Sequence, residues 1–232
     1  MSRANPPQLL PLIRGPKDFA AAFAVSPETL ARLQTYADCL ALWQPRINLV
    51  APSTLPDVWH RHIVDSAQIL ALAPPAPATW ADLGSGAVFP GLVVAILFAG
   101  QTDTPPPKVT LVESDQRKCA FLAEVVRRTR LGPLISVDIH CARIESASTR
   151  AKPDSVDVVS ARALAPLDKL LGLAMPLLGP GSVGLFMKGR GAEAELVDAK
   201  RCWQFAYDEV ASRTDADARI IRVRGQAVRT ES

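Results

Sequence analysis

The chain is predicted to fold as an α/β protein on three observations. Short β runs alternate with amphipathic helices from Thr79 onward, a glycine-rich turn follows the first of those strands, and an acidic residue closes the second. Such alternation makes a parallel sheet covered by helices on both faces. A turn at the carboxyl edge of that sheet is where an open α/β fold holds its ligand. With 232 residues, 48% hydrophobic and 21% charged, the chain is long enough to bury a full core and too apolar for extensive disorder. A formal charge of +3 permits a nucleic-acid partner without demanding one, since no dense Lys/Arg block occurs.

In chain order, residues 1–25 carry weak signals and read as a partly ordered lead-in. Prolines and charges interrupt any apolar core there, so no signal peptide is expected. The first clear helix begins at Ser26, an N-cap residue followed by Pro27 and Glu28 in the first turn. Leu30, Leu33, Ala37 and Leu40 form its apolar stripe, and Pro45 stops it. Asn48, Pro52 and Ser53 mark a turn before a second helix predicted over 55–72, with Trp59, Ile63, Ser66 and Leu70 along one side. The proline-rich stretch 73–78 reads as a linker. The division predicted is a helical extension over 1–75 packed on an α/β part over 76–232. The two form one structural unit, because the first 75 residues supply too few elements for a core of their own.

Strands are predicted at 79–83, 109–113, 135–140, 156–160 and 183–188, and helices at 90–99, 116–131, 166–178 and 192–203. Two closing strands at 204–211 and 219–224, joined by a short acidic turn, suit an antiparallel pair. The most apolar run, 87–99, contains Pro90 and is too short to span a bilayer, so no membrane association is expected. Cys39, Cys119, Cys141 and Cys202 are scattered and form no Cys-x-x-Cys pair. The expectation is a reduced, cytoplasmic protein without a metal or redox centre.

The chemistry concentrates where Trp80-Ala81-Asp82-Leu83 runs into Gly84-Ser85-Gly86-Ala87-Val88-Phe89-Pro90-Gly91. Glycines at a strand-to-helix turn let a ligand lie against bare main chain. Asp82 is placed to fix the turn by accepting backbone N–H groups, or to reach a cofactor's amino group through water. Glu113, at the end of the second strand, could accept both hydroxyls of a ribose; the alternative is a turn or helix-start charge. A dinucleotide site would need a third small residue where Phe89 stands. Its carboxylate would follow about 20 residues on, whereas Glu113 lies 27 beyond Gly86. S-adenosylmethionine has no pyrophosphate and does not require the full glycine set, so it suits the pattern better.

Four segments together resemble the small-subunit rRNA methyltransferase G family, also called glucose-inhibited division protein B. They are Trp43-Gln44-Pro45-Arg46-Ile47-Asn48-Leu49, Arg61-His62-Ile63-Val64-Asp65-Ser66, the turn from Asp82 to Gly91, and the run from Asp157 through Arg162 to Leu167. Phe186-Met187-Lys188-Gly189 adds a shorter match. The resemblance covers residues 26–224. It implies a Rossmann-like, S-adenosylmethionine-dependent methyltransferase fold with an N-terminal helical extension, acting on N7 of a guanine in 16S rRNA, free or in the small ribosomal subunit. The expected assembly is a monomer.

Carried over by position, the family's cofactor contacts fall on Gly84, Phe89, the pair Ile144 and Glu145, and Arg162. Ile144 and Glu145 follow the third strand, where they could frame an adenine, although Glu145 equally reads as a solvated charge. Arg162, directly after the fourth strand, suits a substrate or cofactor carboxylate. Lys188 and Arg190 lie beside the same sheet edge and are candidate RNA contacts. Arg117, Lys118, Arg127, Arg128 and Arg130 offer a second basic face that could equally be solubilising. The family has glycine where this chain has Val88; at a positive φ a β-branched residue costs on the order of 1–2 kcal/mol.

His60 and His62 are two apart on a predicted helix and cannot share a metal ion. His62 is read as docking the N-terminal helices onto the cofactor end, and Trp43, Trp59 and Trp80 as core. Two other readings stay open, a nicotinamide-dependent oxidoreductase and a cofactor-free RNA-binding protein.

Overall fold

The computed structural model describes residues 9–84, 86, 89–101, 104–146, 149 and 155–230. Seven strands form a single sheet: β1 (Thr79–Leu83), β2 (Lys108–Glu113), β3 (Val137–Cys141), β4 (Val156–Arg162), β5 (Leu178–Lys188), β6 (Trp203–Ala211) and β7 (Arg219–Arg229). Their order is β3-β2-β1-β4-β5-β7-β6. The first five strands run parallel, while β7 inserts antiparallel between β5 and β6, as the acidic turn predicted for the closing pair. Chain order leaves β1 in one direction for β2 and β3, then returns to its other side for β4. The reversal opens a crevice at the carboxyl ends of β1 and β4.

Among the described residues, six helices of seven or more residues surround the sheet: α1 (Pro16–Ala22), α2 (Pro27–Trp43), α3 (Gly91–Phe98), α4 (Gln116–Arg128), α5 (Leu167–Ala174) and α6 (Ala192–Cys202). One face of the sheet shares an apolar core with α1 to α4, through Trp80, Val109, Leu111 and Val158 against Leu33, Leu40, Leu92 and Phe121. The other face, with Ala81, Leu83, Val159 and Phe186, packs on Leu167, Leu170 and Leu171 of α5 and Leu196 of α6. The alternation of Trp80 and Ala81 between the two clusters is the period-two pleat of a strand buried on both sides.

The cap reading at Ser26 holds, for its hydroxyl accepts from Thr29 N–H at 3.2 Å and Pro27 opens the helix. The lead-in differs from expectation from residue 10 onward. Leu10 N–H donates to Arg213 O at 2.8 Å, Ile13 is buried, and Phe19 on α1 is fully buried. Phe19 stacks on Phe23 at 4.5 Å and meets the edge of Trp59 at 5.8 Å. Its order comes from partners distant in the chain, which local periodicity does not register.

The helix predicted over 55–72 is likewise broken into a π-helical turn at Trp59–Val64, an α turn at Asp65–Ala67 and a 3-10 turn at Gln68–Leu72. Side chains capture its carbonyls: Ser66 Oγ donates to His62 O at 2.7 Å, and Arg162 Nη2 donates to Arg61 O at 2.9 Å. A widened turn of this kind follows when side chains insert into the helical ladder.

Candidate functional site

The crevice at the carboxyl ends of β1 and β4 is a cleft of about 1060 Å³. Its floor is the turn after β1. Gly84 and Gly86 have φ of +62° and +47°, a left-handed conformation that residues with a Cβ rarely adopt. Ser85, Ala87 and Val88 lie outside the described residues, so the departure at Val88 has no structural account here. Gly91 opens α3 hard against the sheet: a Cβ there would lie 2.5 Å from Leu111 Cδ2 and 2.7 Å from Asp82 Cβ. The small residue that lets the helix approach the strands is therefore Gly91, two positions after Phe89.

Asp82 is fully buried beneath the turn. Its carboxylate accepts from Gly91 N–H at 3.2 Å and from Ser160 Oγ at 2.5 Å, and Ser160 Oγ in turn accepts from Trp80 Nε1 at 2.8 Å. Of the two roles considered for Asp82, these contacts support fixing the turn. Glu113 closes the other side. One carboxylate oxygen accepts from Gly86 N–H at 2.7 Å; the other accepts from Ser114 and Asp115 N–H at 2.7 and 2.8 Å. The turn reading of Glu113 thus has direct contacts, while the residue still borders the cleft.

Phe89 forms the wall toward the N-terminal helices. Its ring stacks on Tyr36 at 5.2 Å and on His62 at 4.9 Å, and the Arg162 guanidinium carbon lies 5.9 Å from its centroid. Arg162 is oriented by the π-turn segment: Nη2 donates to Arg61 O, and Nε lies 3.4 Å from Asp65 Oδ2. Asp65 is itself held by Gln68 Nε2 at 2.8 Å and Thr214 Oγ1 at 2.7 Å. Ala163 follows at φ +52°, a strained conformation for a residue with a Cβ, and turns the chain away from β4. Past β3, half-buried Ile144 and exposed Glu145 line the opposite end of the cleft.

Several of the basic residues expected to contact RNA are otherwise engaged. Lys188 is buried; its ammonium donates to Ala165 O at 2.5 Å and lies 2.8 Å from Glu195 Oε2, which also accepts Leu167 N–H at 2.9 Å. The charge pins the 163–166 segment to α6 and is not presented to a phosphate. Lys188 and Arg162 both border a second cavity of about 510 Å³, which shares the wall Arg162–Ala165 with the cleft. On α4, Arg127 and Arg128 are bonded to Glu124 at 2.8 and 2.6 Å, and Arg117 to Asp115 at 3.1 Å. Lys118 instead borders the cleft. Arg190 stays exposed, 3.4 Å from Asp217.

Val50 on the rim of the cleft and Tyr36 behind Phe89 went unread in the sequence. Leu49 and Val50 reach the cleft on a loop pinned by Gln44, whose Oε1 accepts both of their N–H groups at 3.1 Å. Tyr36 backs Phe89, and burial, followed by the nearby Asp82 carboxylate, pushes its phenol well above the ordinary range. His62 does dock the helical segment, as read, but it also borders the cleft. Burial first, then Arg162 and Arg61, bring its pKa down to about 3. Nothing in the local sequence marks the strained turn at Ala163, since a residue with a Cβ rarely adopts a positive φ. Among the described residues no group of three or more His, Cys, Asp or Glu could hold a metal, and no helix is long and apolar enough to cross a membrane.

Comparison with known proteins agrees with this geometry. The model of the rRNA small subunit methyltransferase G family matches residues 29–221. The protein named ribosomal RNA small subunit methyltransferase G from Parvibaculum lavamentivorans is 46% identical over 215 residues, 93% of this chain and 91% of that protein. Its namesake from Methylobacterium nodulans is 52% identical over 203 residues, 88% and 92% of the two chains. Among solved structures, a fibrillarin/Nop5p complex superposes with a TM-score of 0.52 at 11% identity, over 72% of this chain and 83% of that one. MtNAS in complex with S-adenosylmethionine gives 0.54 at 12%, over 84% and 72%. At such identities the likeness is one of fold. The four motif segments, scattered in sequence, converge on one cleft, and the family match spans all of them: the chain belongs to the rRNA small subunit methyltransferase G family.

Proposed function

We propose that the protein transfers a methyl group from S-adenosylmethionine to N7 of a guanine in 16S rRNA, as a monomer in the cytoplasm, on free rRNA or on the small ribosomal subunit. The observation that carries the reading is the family match over residues 29–221, which takes in every wall of the cleft. The residues present fit the cofactor. Gly84 and Gly86 offer bare backbone and Phe89 an apolar wall, and Glu113, Ile144 and Glu145, which line the same cleft, would hold the ribose and adenine.

Bound there, S-adenosylmethionine supplies a methyl group already activated on a sulfonium. Guanine N7 carries a lone pair and no proton, so the chain has no proton to remove. Its task is alignment and exclusion of water. Arg162 and the strained turn at Ala163 stand between the cleft and the second cavity, a position from which to orient an incoming base. Lys188 supports that wall from behind. Ser160, Asp82 and Glu113 hold the floor rigid, which keeps the alignment fixed.

Mapping N7-methylguanine in 16S rRNA from cells with and without the protein tests the reading, and unchanged methylation defeats it. Calorimetric titration separates the cofactors: binding of S-adenosylmethionine but not NAD is expected. Arg162→Ala should lower cofactor binding or turnover far more than Arg128→Ala, whose guanidinium is bonded to Glu124.

A further inference from the structure

The fold brings together two of the four cysteines that the sequence scatters. On β2, Val109 and Leu111 face the core shared with α4, and the parallel register sets Val137, Ile139 and Cys141 of β3 beside Val109, Leu111 and Glu113. Paired residues of neighbouring strands point to one face, and Val137 and Ile139 do pack on that same core. Cys141, the last residue of β3, therefore turns its thiol toward the face that α4 covers. Cys119, in the first turn of α4, is buried, and its thiol donates to Glu113 O at 3.4 Å. The two thiols are in hydrogen-bond contact. Burial first, then that contact, pushes the Cys119 thiol up to about 12, with the Glu113 and Asp115 carboxylates adding to the push.

Each cysteine adjoins a wall of the cleft. Lys118 precedes Cys119, Ala142 and Arg143 follow Cys141, and all three line the cleft together with Glu113 and Ser114. The pair thus spans the carboxyl end of β2, from α4 to β3, at the residue whose carboxylate holds Gly86 N–H at 2.7 Å. Cys141 is exposed and can meet a solute.

We propose that Cys119 and Cys141 close a disulfide on exposure to a low-molecular-weight disulfide, and that this bond weakens cofactor binding in the adjoining cleft. This control rests on the S-adenosylmethionine reading and adds a redox response to that site. The Cys141 thiolate attacks one sulfur of the small disulfide, whose S–S bond breaks and releases one small thiolate. The Cys119 thiolate then attacks the Cys141 sulfur of the mixed disulfide and releases the second. The protons of the two protein thiols end on the two released thiols. The protein loses two electrons and the small disulfide gains them. A thiol with a pKa of about 12 is rarely ionised at neutral pH, so the second step is the slow one. Bond formation withdraws the Cys119 hydrogen from Glu113 O. It also draws the two sulfurs to roughly 2.0 Å, shorter than any thiol contact, and so pulls α4 toward β3 on both sides of Glu113.

The full chain is incubated with oxidised glutathione, free thiols are alkylated, and peptides are mapped without reductant. A peptide pair joined through Cys119 and Cys141, and separated by dithiothreitol, is expected; its absence overturns the proposal. Calorimetry then compares S-adenosylmethionine binding by the reduced and oxidised proteins. The oxidised form should bind about fivefold or more weakly, and dithiothreitol should restore the affinity. Crosslinked protein of unchanged affinity overturns the control.

Cys141→Ser, at an exposed position, should bind as the reduced wild type does and lose the response to oxidised glutathione. A response that persists in this variant assigns the effect to another thiol, such as exposed Cys202, and overturns the pair. Reduced wild-type protein that binds no S-adenosylmethionine defeats the cofactor reading and with it the control of binding. The crosslink is still mapped in that case, so the two failures are told apart.

Discussion

Arg162 shows how far a single residue's role can be read from its place in the chain. Its position after a strand, at the sheet's carboxyl edge, pointed to anion recognition, and the fold brings it to the cleft. What local sequence does not contain is its orientation, set by Arg61 and Asp65 about a hundred residues earlier. Lys188 makes the opposite case. The same reasoning placed it near RNA, yet Glu195, one helical turn into α6, takes up its charge in the interior.

His62 yields a prediction at this scale. Its folded pKa of about 3 lies below the ordinary 6.5, so the unfolded chain binds a proton that the native ring refuses. Stability from this group is full above the ordinary pKa and declines as pH falls toward the folded one, by up to about 1.4 kcal/mol per pH unit. Denaturant unfolding at about pH 7 and about pH 5 should differ by up to roughly 2 kcal/mol on this account. His62→Asn should flatten that part of the slope; a slope unchanged in the variant would assign the pH dependence to other groups.

Elements were legible where their period and caps were local. Five of the seven strands fall within two residues of the predicted ranges, while β5 begins five residues earlier and β7 ends five later. Helix α2 follows Ser26 because its cap is a contact between residues three apart. The helix predicted over 55–72 failed as a regular helix, since Ser66 and Arg162 bond to its carbonyls and no propensity scale includes them. The junction of β1 and α3 depends on one glycine. Gly91→Ala would press a methyl group into Leu111 and Asp82 and lift the helix from the strand. A loss of about 1–3 kcal/mol is expected, together with weaker cofactor binding as the Asp82 contact to residue 91 lengthens. Gly132→Ala, which meets nothing within 4 Å, is the matched control and should stay within about 0.5 kcal/mol.

At the scale of the whole molecule, the N-terminal segment was the least legible part. Residues 10–25 lack periodic patterning, yet Phe19 is 0% exposed and packs on Trp59. Phe19→Ala should cost about 3–5 kcal/mol in a urea unfolding transition; a loss under about 0.5 kcal/mol would return the segment to a loose lead-in. Strand alternation, the glycine turn and the acidic end of β2 by themselves determined the fold class, the position of the cleft and the kind of cofactor it suits, because each is a relation among residues close in the chain. Only the tertiary structure decided which charges face the cleft, which are sealed in ion pairs, and that His62 and Arg162 meet across Phe89. Those relations join residues scores of positions apart, and burial, which no local window contains, sets both their protonation and their partners.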